Sequence, residues 1–413
     1  MNKNIKKEID KCLNCKNTPC KYGCPLGNDI PKFIKYMKEE NYQKAYFILS
    51  KTTVLSPICG LICPKDIQCE RMCIKVLSNK HVKIGSIEAN LGKYSLDNNY
   101  KIYSPKKTHH HVLVIGSGPS GITCAAFLRR NGIKVTIVEK HDYLGGLLVH
   151  GIPDFRLNKN LVKRVMNSIV NLGIDVIYNK ELGTDFKISD VIDKYDAIFI
   201  GIGANISNNL NLDNENLENI YGANELLENN LNLNLNKKKV IVYGCGNTAM
   251  DVARKLKRLG ANVTIIYRKD INHMSASNKE YMDTLNDKVK FLFNTKIIKI
   301  NGNDKIDNIE VIKTKFIKDN NKETLIDINN SNYSIKCDYL IKAIGSSPDI
   351  NIINNLNLDL DEKGLIDIDG NGQTSNPKIF SGGDVAGVKR TVAWASRSGR
   401  NAAYKIIEYL KES

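Results

Sequence analysis

The chain has 413 residues, of which 42% are hydrophobic and 25% charged, as in an ordinary soluble globular protein. This composition disfavours a disordered, collagen-like or membrane-spanning chain, and the length predicts two or three domains. The net charge of +16 fits nucleic acid, an anionic surface, acidic ligands, or simply a Lys-rich chain. Because no apolar stretch is long enough to span a bilayer and the charged N-terminus is unlike a secretory signal, we expect a cytoplasmic protein that does not enter a membrane.

The first 73 residues contain eight of the 11 cysteines, in a segment whose apolar spacing predicts short helices. The cysteines form two runs, C-x2-C-x4-C-x3-C-P and C-x3-C-x5-C-x3-C. Zinc, unliganded thiols and iron–sulfur clusters are the alternatives, and the unequal spacings fit zinc poorly. A run ending in Cys-Pro favours iron–sulfur clusters, with Cys12, Cys15 and Cys20 on one cluster and Cys24 on its neighbour.

A first dinucleotide motif follows the predicted strand HVLVI, with glycines at Gly116, Gly118 and Gly121. Such glycines allow a tight turn, a close approach to a pyrophosphate, and close packing of the following helix. The next strand ends at Glu139, 18 residues after Gly121. A carboxylate at this position accepts hydrogen bonds from a ribose, so the motif predicts FAD or NAD.

A second motif, Gly244-Cys-Gly246-Asn247-Thr248-Ala249, also follows a predicted strand and begins a helix. The strand after it ends at Arg268 and Lys269, with no acidic residue at the ribose position. Two cations there suit a 2′-phosphate, so we expect NADPH, with NADH as the alternative donor. The other interpretation is that both are ordinary surface charges.

The combined motifs resemble the iron–sulfur oxidoreductase family that includes the small (β) subunit of NADPH-dependent glutamate synthase. The family also includes the N-terminal part of dihydropyrimidine dehydrogenase and the large subunit of a ferredoxin:NADP oxidoreductase. Both cysteine runs, both glycine motifs, LGGLLVHGIPDFRL and SGGDVAG carry the resemblance over nearly the whole chain. It implies an α/β fold with a helical 4Fe-4S domain followed by two Rossmann-like domains. The implied boundaries are 1–105 for the 4Fe-4S domain, 106–235 and 341–413 for FAD, and 236–340 for NAD(P)H.

The resemblance also implies the ligands of two 4Fe-4S clusters. One cluster takes Cys12, Cys15, Cys20 and Cys73. The other takes Cys24, Cys63, Cys69 and a non-cysteine ligand in IGSIEAN, for which Glu88 is the candidate, so that Cys59 is spare. The alternative for Glu88 is an ordinary exposed carboxylate on a helix.

On the FAD side the resemblance implies contacts from residues in both segments of the chain. They are Gly116, Gly118, Gly121, Glu139, Gly146, Gly383, Asp384, Thr391 and Val392. Thr391 and Val392 begin a helix whose N-terminus points at the flavin in this family, where the helix dipole stabilises negative charge. Two departures are Lys269, where relatives carry Arg, and Ser275, where relatives often carry Pro.

These parts predict an enzyme that passes electrons from NADPH through FAD to the clusters, since a flavin accepts a hydride and releases single electrons. No catalytic acid or base is expected, because the chemistry needs placement rather than proton transfer. We expect a larger redox or glutaminase-type partner subunit and the input of electrons to a glutamate synthase. Another NAD(P)H oxidoreductase complex and an NADP-sensing regulatory subunit are the alternatives. Nucleic acid is not expected, because the cations serve anionic clusters and cofactors.

Overall fold

The computed structural model describes residues 3–78, 80–100, 107–229, 233–319 and 322–412. The helices are α1 (Lys3–Asp10), α2 (Pro19–Tyr22), α3 (Ile30–Lys38), α4 (Tyr42–Ser50), α5 (Ser56–Ile62), α6 (Ile84–Asp97), α7 (Pro119–Arg130), α8 (Lys159–Val170), α9 (Ala223–Glu228), α10 (Asn247–Arg258), α11 (Asn278–Asn286), α12 (Ile350–Asn354) and α13 (Val392–Glu412). None of the helices in the described ranges is both long and apolar enough to cross a membrane.

The strands alternate with helices only after residue 110. They are β1 (His111–Ile115), β2 (Lys134–Val138), β3 (Asp175–Ile177), β4 (Ala197–Ile200), β5 (Ile206–Ser207), β6 (Ile220–Gly222), β7 (Lys239–Tyr243), β8 (Asn262–Ile266), β9 (Lys290–Leu292), β10 (Thr295–Gly302), β11 (Ile306–Asp319), β12 (Lys322–Asp327), β13 (Tyr333–Lys336), β14 (Tyr339–Lys342), β15 (Ser346–Ser347) and β16 (Ile379–Ser381).

The chain divides into two compact units, of which the first is discontinuous. Unit 1 comprises 1–149, 154–204 and 348–413, and unit 2 comprises 150–153 and 205–347. The segment 205–235, which the sequence analysis groups with FAD, packs in unit 2 because β6 pairs with β14 and β5 with β15. The predicted boundary near residue 105 falls at 101–106, outside the described residues.

Helices α1–α6 form the N-terminal part of unit 1. Helix α3 buries Phe33, Ile34 and Met37 on one face, as its apolar spacing predicts. Helices α5 and α6 approach closely, because a Cβ on Gly60 would lie 2.4 Å from the amide nitrogen of Ala89. Only glycine at this position therefore allows α5, which carries Cys59, to pack against α6, which carries Glu88.

The rest of unit 1 is built on a parallel sheet with the order β16-β4-β1-β2-β3. Its inner strands are continuously apolar, as expected for a sheet that is covered on both faces. Helix α7 follows β1 and packs against α13, where a Cβ on Gly399 would lie 2.0 Å from the Ser120 carbonyl oxygen. The hydroxyls of Thr123 and Ser396 also hydrogen-bond between these helices at 2.8 Å.

Unit 2 has a parallel sheet with the order β6-β14-β7-β8-β9. Along β7, Val240 and Val242 pack with α10. Ile241 and Tyr243 point to the opposite face and pack with residues of β10 and β11. This alternation is the period of two expected of a strand. The β10–β13 sheet is antiparallel, as the alternating segments of the sequence predict.

Candidate functional site

Four of the N-terminal cysteines line one cavity in unit 1. Cys12 and Cys15 come from the loop after α1, Cys20 from α2, and Cys73 from the second cysteine run. The other lining residues are mainly apolar, including those of α3 and the start of α6, and two lysines, Lys11 and Lys75, complete the lining. Burial, then the neighbouring Cys12 and Cys73 thiols, raise the pKa of Cys20 to about 12. Four converging thiols in an apolar pocket fit a 4Fe-4S cluster, whose iron holds such groups as thiolates.

The second group of predicted ligands also converges. Cys24, Cys69 and Glu88 are buried. Burial and then the charge of the Glu88 carboxylate raise the pKa of Cys24 to about 12. Burial, followed by the charges of Cys24 and Glu88, raises the pKa of the Cys69 thiol. The set of soft thiols with one oxygen donor fits the second 4Fe-4S cluster, and its assignment stays a prediction.

Glu88 is only 6% exposed, so the alternative of an exposed helix carboxylate is wrong. Burial raises its pKa to about 8, against the lowering effect of Lys65 and of the Asn28 amide, whose nitrogen lies 3.4 Å from Oε1. A buried carboxylate with this little compensation is unfavourable in a folded core. Iron would supply the missing positive charge.

Cys59, which the resemblance leaves spare, lies beside the second group. It is 2% exposed, and a hydrogen bond with Cys63, followed by burial, raises its pKa. The two residues are joined by the end of α5, where the Cys63 amide donates to the Cys59 carbonyl at 3.1 Å. Their i, i+4 spacing on one helix face is the sequence signal for this proximity.

The first glycine motif has the backbone geometry that a dinucleotide needs. Gly116 has φ +90°, and a Cβ on it would lie 2.6 Å from the Gly201 carbonyl oxygen. A Cβ on Gly121 would lie 2.0 Å from the Gly116 carbonyl oxygen, so the strand and α7 pack only with glycine here. Gly118 has no atom within 4 Å of its Cβ position, which leaves that side open. The cradle therefore fits a pyrophosphate at the N-terminus of α7.

Glu139 directly follows β2 beside this motif and is 4% exposed. Its carboxylate accepts hydrogen bonds from the Ser117 amide at 2.9 Å, from the His141 amide at 3.1 Å, and from the Ser117 hydroxyl. Ser117 occupies a variable position of the motif and so gave no signal in the sequence, yet it positions the Glu139 carboxylate. The carboxylate is thus held in place, and its contact with a ribose stays a prediction.

Gly146 and Gly383 lie next to the first glycine motif in unit 1. A Cβ on Gly146 would lie 3.2 Å from the Gly118 Cα, and one on Gly383 would lie 2.6 Å from the Ser120 hydroxyl oxygen. The Gly383 amide donates to the Ser398 hydroxyl at 2.9 Å, so it is already used within the chain. Asp384 begins a short helical turn, and the first amides of such a turn have no partner within it. The Asp384 amide is therefore the better candidate for the predicted contact with FAD.

The start of α13 follows this turn. Thr391 precedes the helix, and its hydroxyl lies 3.4 Å from the Trp394 amide nitrogen as a weak cap. Val392 is the first helical residue. Both residues are half-buried, which fits their predicted place at a ligand.

In unit 2 the second glycine motif has the same features. Gly244 has φ +131°, and a Cβ there would lie 2.1 Å from the Ala343 carbonyl oxygen. Helix α10 begins at Asn247, with Thr248 in its first turn. The Asn247 side-chain oxygen accepts from the Ser277 amide at 3.1 Å, so it fixes the loop before α11. The motif leaves a glycine-lined helix N-terminus that fits a second dinucleotide.

Arg268 and Lys269 follow β8, which lies parallel to β7 with Ile266 opposite Tyr243. The carboxyl ends of adjacent parallel strands meet at one edge, so the two cations lie at the edge where the second motif begins. Arg268 is exposed, and within the described ranges neither side chain forms a hydrogen bond or ion pair. Both remain available for a phosphate, and their role stays a prediction.

Comparison with known families gives two matches along the chain. Residues 110–399 match the family described as pyridine nucleotide-disulphide oxidoreductase. Residues 1–100 match the family described as dihydropyrimidine dehydrogenase domain II, 4Fe-4S cluster.

Full-length relatives combine the same two parts. The chain is 32% identical to the glutamate synthase [NADPH] small chain of Escherichia coli, over 98% of this chain and 91% of that protein. It is 30% identical to the corresponding chain of Azospirillum brasilense, over 98% and 89%. It is 28% identical to the NAD-dependent dihydropyrimidine dehydrogenase subunit PreT of Salmonella typhimurium, over 98% and 94%.

Solved structures resemble the larger part of the chain in fold. FprA of Mycobacterium tuberculosis in complex with NADPH has a TM-score of 0.64 at 17% identity, over 73% of this chain and 85% of that one. Thioredoxin reductase of Lactococcus lactis has a TM-score of 0.57 at 20% identity, over 74% and 100%. These values confirm the α/β fold class predicted from the sequence.

The fold and the two glycine cradles define a flavin- and pyridine-nucleotide-dependent oxidoreductase, and the N-terminal thiols add 4Fe-4S clusters to it. The chain belongs to the pyridine nucleotide-disulphide oxidoreductase family, in the iron–sulfur branch that includes the glutamate synthase small chains. The predicted family, enzyme class and cofactors FAD, NAD(P)H and 4Fe-4S are thereby confirmed.

Proposed function

We propose that the chain is the electron-input subunit of a glutamate synthase. It would oxidise NADPH at unit 2, reduce FAD at unit 1, and deliver single electrons through two clusters to a larger glutaminase-type subunit. The larger subunit would form glutamate from glutamine and 2-oxoglutarate. The observation that carries this proposal is the match to glutamate synthase small chains over 98% of the chain.

The chain's own residues divide this work between the two units. The glycines at the N-termini of α7 and α10 would hold two pyrophosphates, and Arg268 with Lys269 would hold the 2′-phosphate of NADPH. Bound FAD supplies the conversion between a two-electron hydride and single electrons. The buried thiols and Glu88 would hold the clusters in an apolar part of unit 1. No side chain is assigned as an acid or base, because positioning of the nicotinamide suffices.

The experiment has two arms. Protein purified with its iron and FAD is mixed with NADPH and an artificial dye, and dye reduction is followed. It is then mixed with a glutaminase-type large subunit, and glutamate is measured. We expect dye reduction without the partner and glutamate only with it. If NADPH reduces no dye, the electron-input proposal fails and a regulatory role replaces it.

A second candidate is the electron-transfer subunit of a dihydropyrimidine dehydrogenase-like complex. The observation that favours it is the 28% identity to PreT over 98% of this chain. Dye reduction without glutamate, together with pyrimidine reduction in the presence of a dihydropyrimidine dehydrogenase partner, would support this candidate over the first. Either function would place the protein in the cytoplasm, where NADPH and the partner subunits occur.

A further inference from the structure

The second and third turns of α13 contact the N-terminal helical part of unit 1. Arg397 and Arg400 are three residues apart and so lie on the same face of the helix. Arg397 donates through Nη1 to the Pro25 carbonyl at 3.1 Å. Arg400 donates through Nη1 to the Leu26 carbonyl at 2.8 Å and to the Thr52 carbonyl at 2.7 Å. These charged donors fix the backbone of two separate loops.

The first of these loops carries a predicted cluster ligand. Pro25 and Leu26 come directly after Cys24, so the two arginines hold the chain on the C-terminal side of that thiol. Burial lowers the pKa of Arg400, and the charge of Cys24 is among the groups that act in the opposite direction. The guanidinium is a half-buried cation that is bonded to the backbone two residues after Cys24.

The second loop leads to another predicted ligand. The Thr52 hydroxyl donates to the Asn28 side-chain oxygen at 2.6 Å. The Asn28 amide nitrogen lies 3.4 Å from Oε1 of Glu88. Asn28 is 1% exposed, so this path is shielded from water. Arg400 is thus linked to both Cys24 and Glu88, two of the four proposed ligands of the second cluster.

We propose that Arg400, with help from Arg397, positions the Cys24 loop and favours the form of the second cluster site that carries one more electron. This inference rests on the proposed function, because it takes Cys24 and Glu88 as ligands. Its physical basis is electrostatic. Reduction adds one electron to the site and transfers no proton from Arg400, so a half-buried cation that hydrogen bonds fix nearby stabilises the reduced form more than the oxidised form. Arg400 is a positioning residue, since its hydrogen bonds within the described residues go to the Leu26 and Thr52 carbonyls and not to a predicted ligand atom.

The same helix begins at the predicted flavin contacts. Val392 and Arg400 are eight residues apart, which is about 12 Å along an α-helix. Helix α13 therefore fixes the cation of Arg400 at a set distance from the predicted flavin end of unit 1. A change at Arg400 is expected to alter the second cluster without altering the binding of FAD.

The test compares Arg400→Gln, Arg400→Lys and the control Lys405→Gln in the iron- and FAD-loaded protein. Lys405 is on the same helix and pairs with Glu408, so its loss removes a charge without touching either loop. Each protein is titrated with dithionite in the presence of redox mediators, and the two cluster signals are followed by EPR. Iron and FAD contents are measured in parallel.

We expect one EPR signal of Arg400→Gln to move to lower potential, with its ratio of reduced to oxidised cluster about three- to tenfold below wild type at any set potential. The other signal and the FAD content should not change. Arg400→Lys should recover most of the shift, and Lys405→Gln should match wild type. Superimposable titrations of Arg400→Gln and wild type would overturn the inference.

Two other results are also decisive. If Arg400→Gln loses one cluster and keeps the other, the positioning role is supported. If Arg400→Gln loses both clusters, the Arg400→Lys protein is the test. A shift of one of its EPR signals supports the inference, and the absence of a shift overturns it. Wild-type protein without two 4Fe-4S signals would refute the ligand part of the proposed function instead.

Discussion

Glu88 differs from the other proposed iron ligands in its chemistry. It is a carboxylate with a pKa raised to about 8 by burial, among thiols on α5 and in the second cysteine run. A carboxylate oxygen is a harder ligand for iron than a thiolate sulfur. A cluster with one oxygen ligand should therefore differ in its spectrum from a cluster with four thiolates. This spectral difference should allow each cluster to be followed separately.

Removal of the Glu88 carboxylate should remove one cluster. In Glu88→Ala we expect iron to fall from about eight towards about four per chain, or one EPR signal to change, because the site loses one of its four ligands. The matched variant is Cys59→Ala, which changes a buried neighbour and should keep both clusters. Iron loss in Cys59→Ala, with two unchanged clusters in Glu88→Ala, would exchange the roles of the two residues.

Arg268 is expected to determine the binding preference for NADPH over NADH. Because its side chain is exposed and has no partner in the described residues, we expect Arg268→Ala to remove the proposed hydrogen bond to the 2′-phosphate and little else. NADPH should bind about 10- to 150-fold more weakly, which corresponds to about 1.5–3 kcal/mol, and NADH binding should hardly change. Titration calorimetry measures both. Lys315→Ala, at an exposed lysine of β11, is the control, and an equal loss for both donors would contradict the prediction.

At the scale of single elements, the short turn after β8 brings a histidine between two carboxylates. His273 Nδ1 lies 2.8 Å from Asp270, and Nε2 lies 3.2 Å from Glu323 of β12. The hydrogen bond with Asp270, followed by the weaker effects of Glu323, raises the pKa of His273. Its ion pairs are therefore complete below pH about 6.5 and are lost as the pH rises through the higher folded-state pKa.

This histidine should titrate above its ordinary value. NMR of the imidazole protons should give His273 a midpoint above about 6.5, and Asp270→Asn should lower that midpoint. His111 provides an internal comparison, because burial and then Lys134 lower its pKa. A His273 midpoint that Asp270→Asn leaves in place would show that the carboxylates do not act on it.

Helices α10 and α11 are joined by a buried ion-pair network. Arg254 of α10 lies 3.2 Å from Glu280 and 2.9 Å from Asp287, and the Arg254 and Glu280 side chains are 9% and 5% exposed. Although partial burial acts in the opposite direction, Arg254 and Arg258 hold the pKa of Asp287 below its usual value. The network therefore stabilises the helix that follows the second glycine motif.

Loss of Arg254 removes the buried guanidinium that Glu280 and Asp287 share. Arg254→Met should lower the free energy of unfolding by about 3 kcal/mol, since breaking a buried pair is far more costly than breaking an exposed one. Lys279→Met removes a cation that contacts Glu280 from the surface and should change it by no more than about 0.5 kcal/mol. Urea denaturation followed by circular dichroism measures both, and equal effects would contradict the assignment.

The structure of the whole molecule shows which features could be predicted from its sequence. The glycine motifs could be predicted because a positive φ or a close backbone approach, as at Gly116 and Gly244, requires glycine at that position. Convergence of Cys12 with Cys73 depends on the packing of α3 and α6, so spacing alone left the pairing open and the family resemblance was needed. The contact of Arg400 with Leu26 joins residues 374 positions apart and had no local signal.

Iron should hold the N-terminal part of unit 1 in its folded form. Between α1 and α3 the only helix is the four-residue α2, so this segment has few backbone hydrogen bonds of its own. Removal of iron by a chelator should speed hydrogen exchange at 11–25 and 63–75, because the buried thiols lose their common ligand. The strands β7 and β8 of unit 2 should be unaffected. Equal protection with and without iron would show that the thiol segments fold by packing alone.

The insertion of unit 2 has a consequence for synthesis on the ribosome. Strand β4 ends at Ile200, but its partner β16 begins at Ile379, so translation must continue for roughly 10–35 s before the sheet of unit 1 gains its last strand. Unit 2 has only a four-residue segment, His150–Pro153, outside 205–347, and so it can fold first as a nearly continuous piece. The edge of β4 meanwhile lacks a partner and depends on chaperones for protection. Slow codons placed after residue 347 should therefore reduce the yield of flavin-loaded protein.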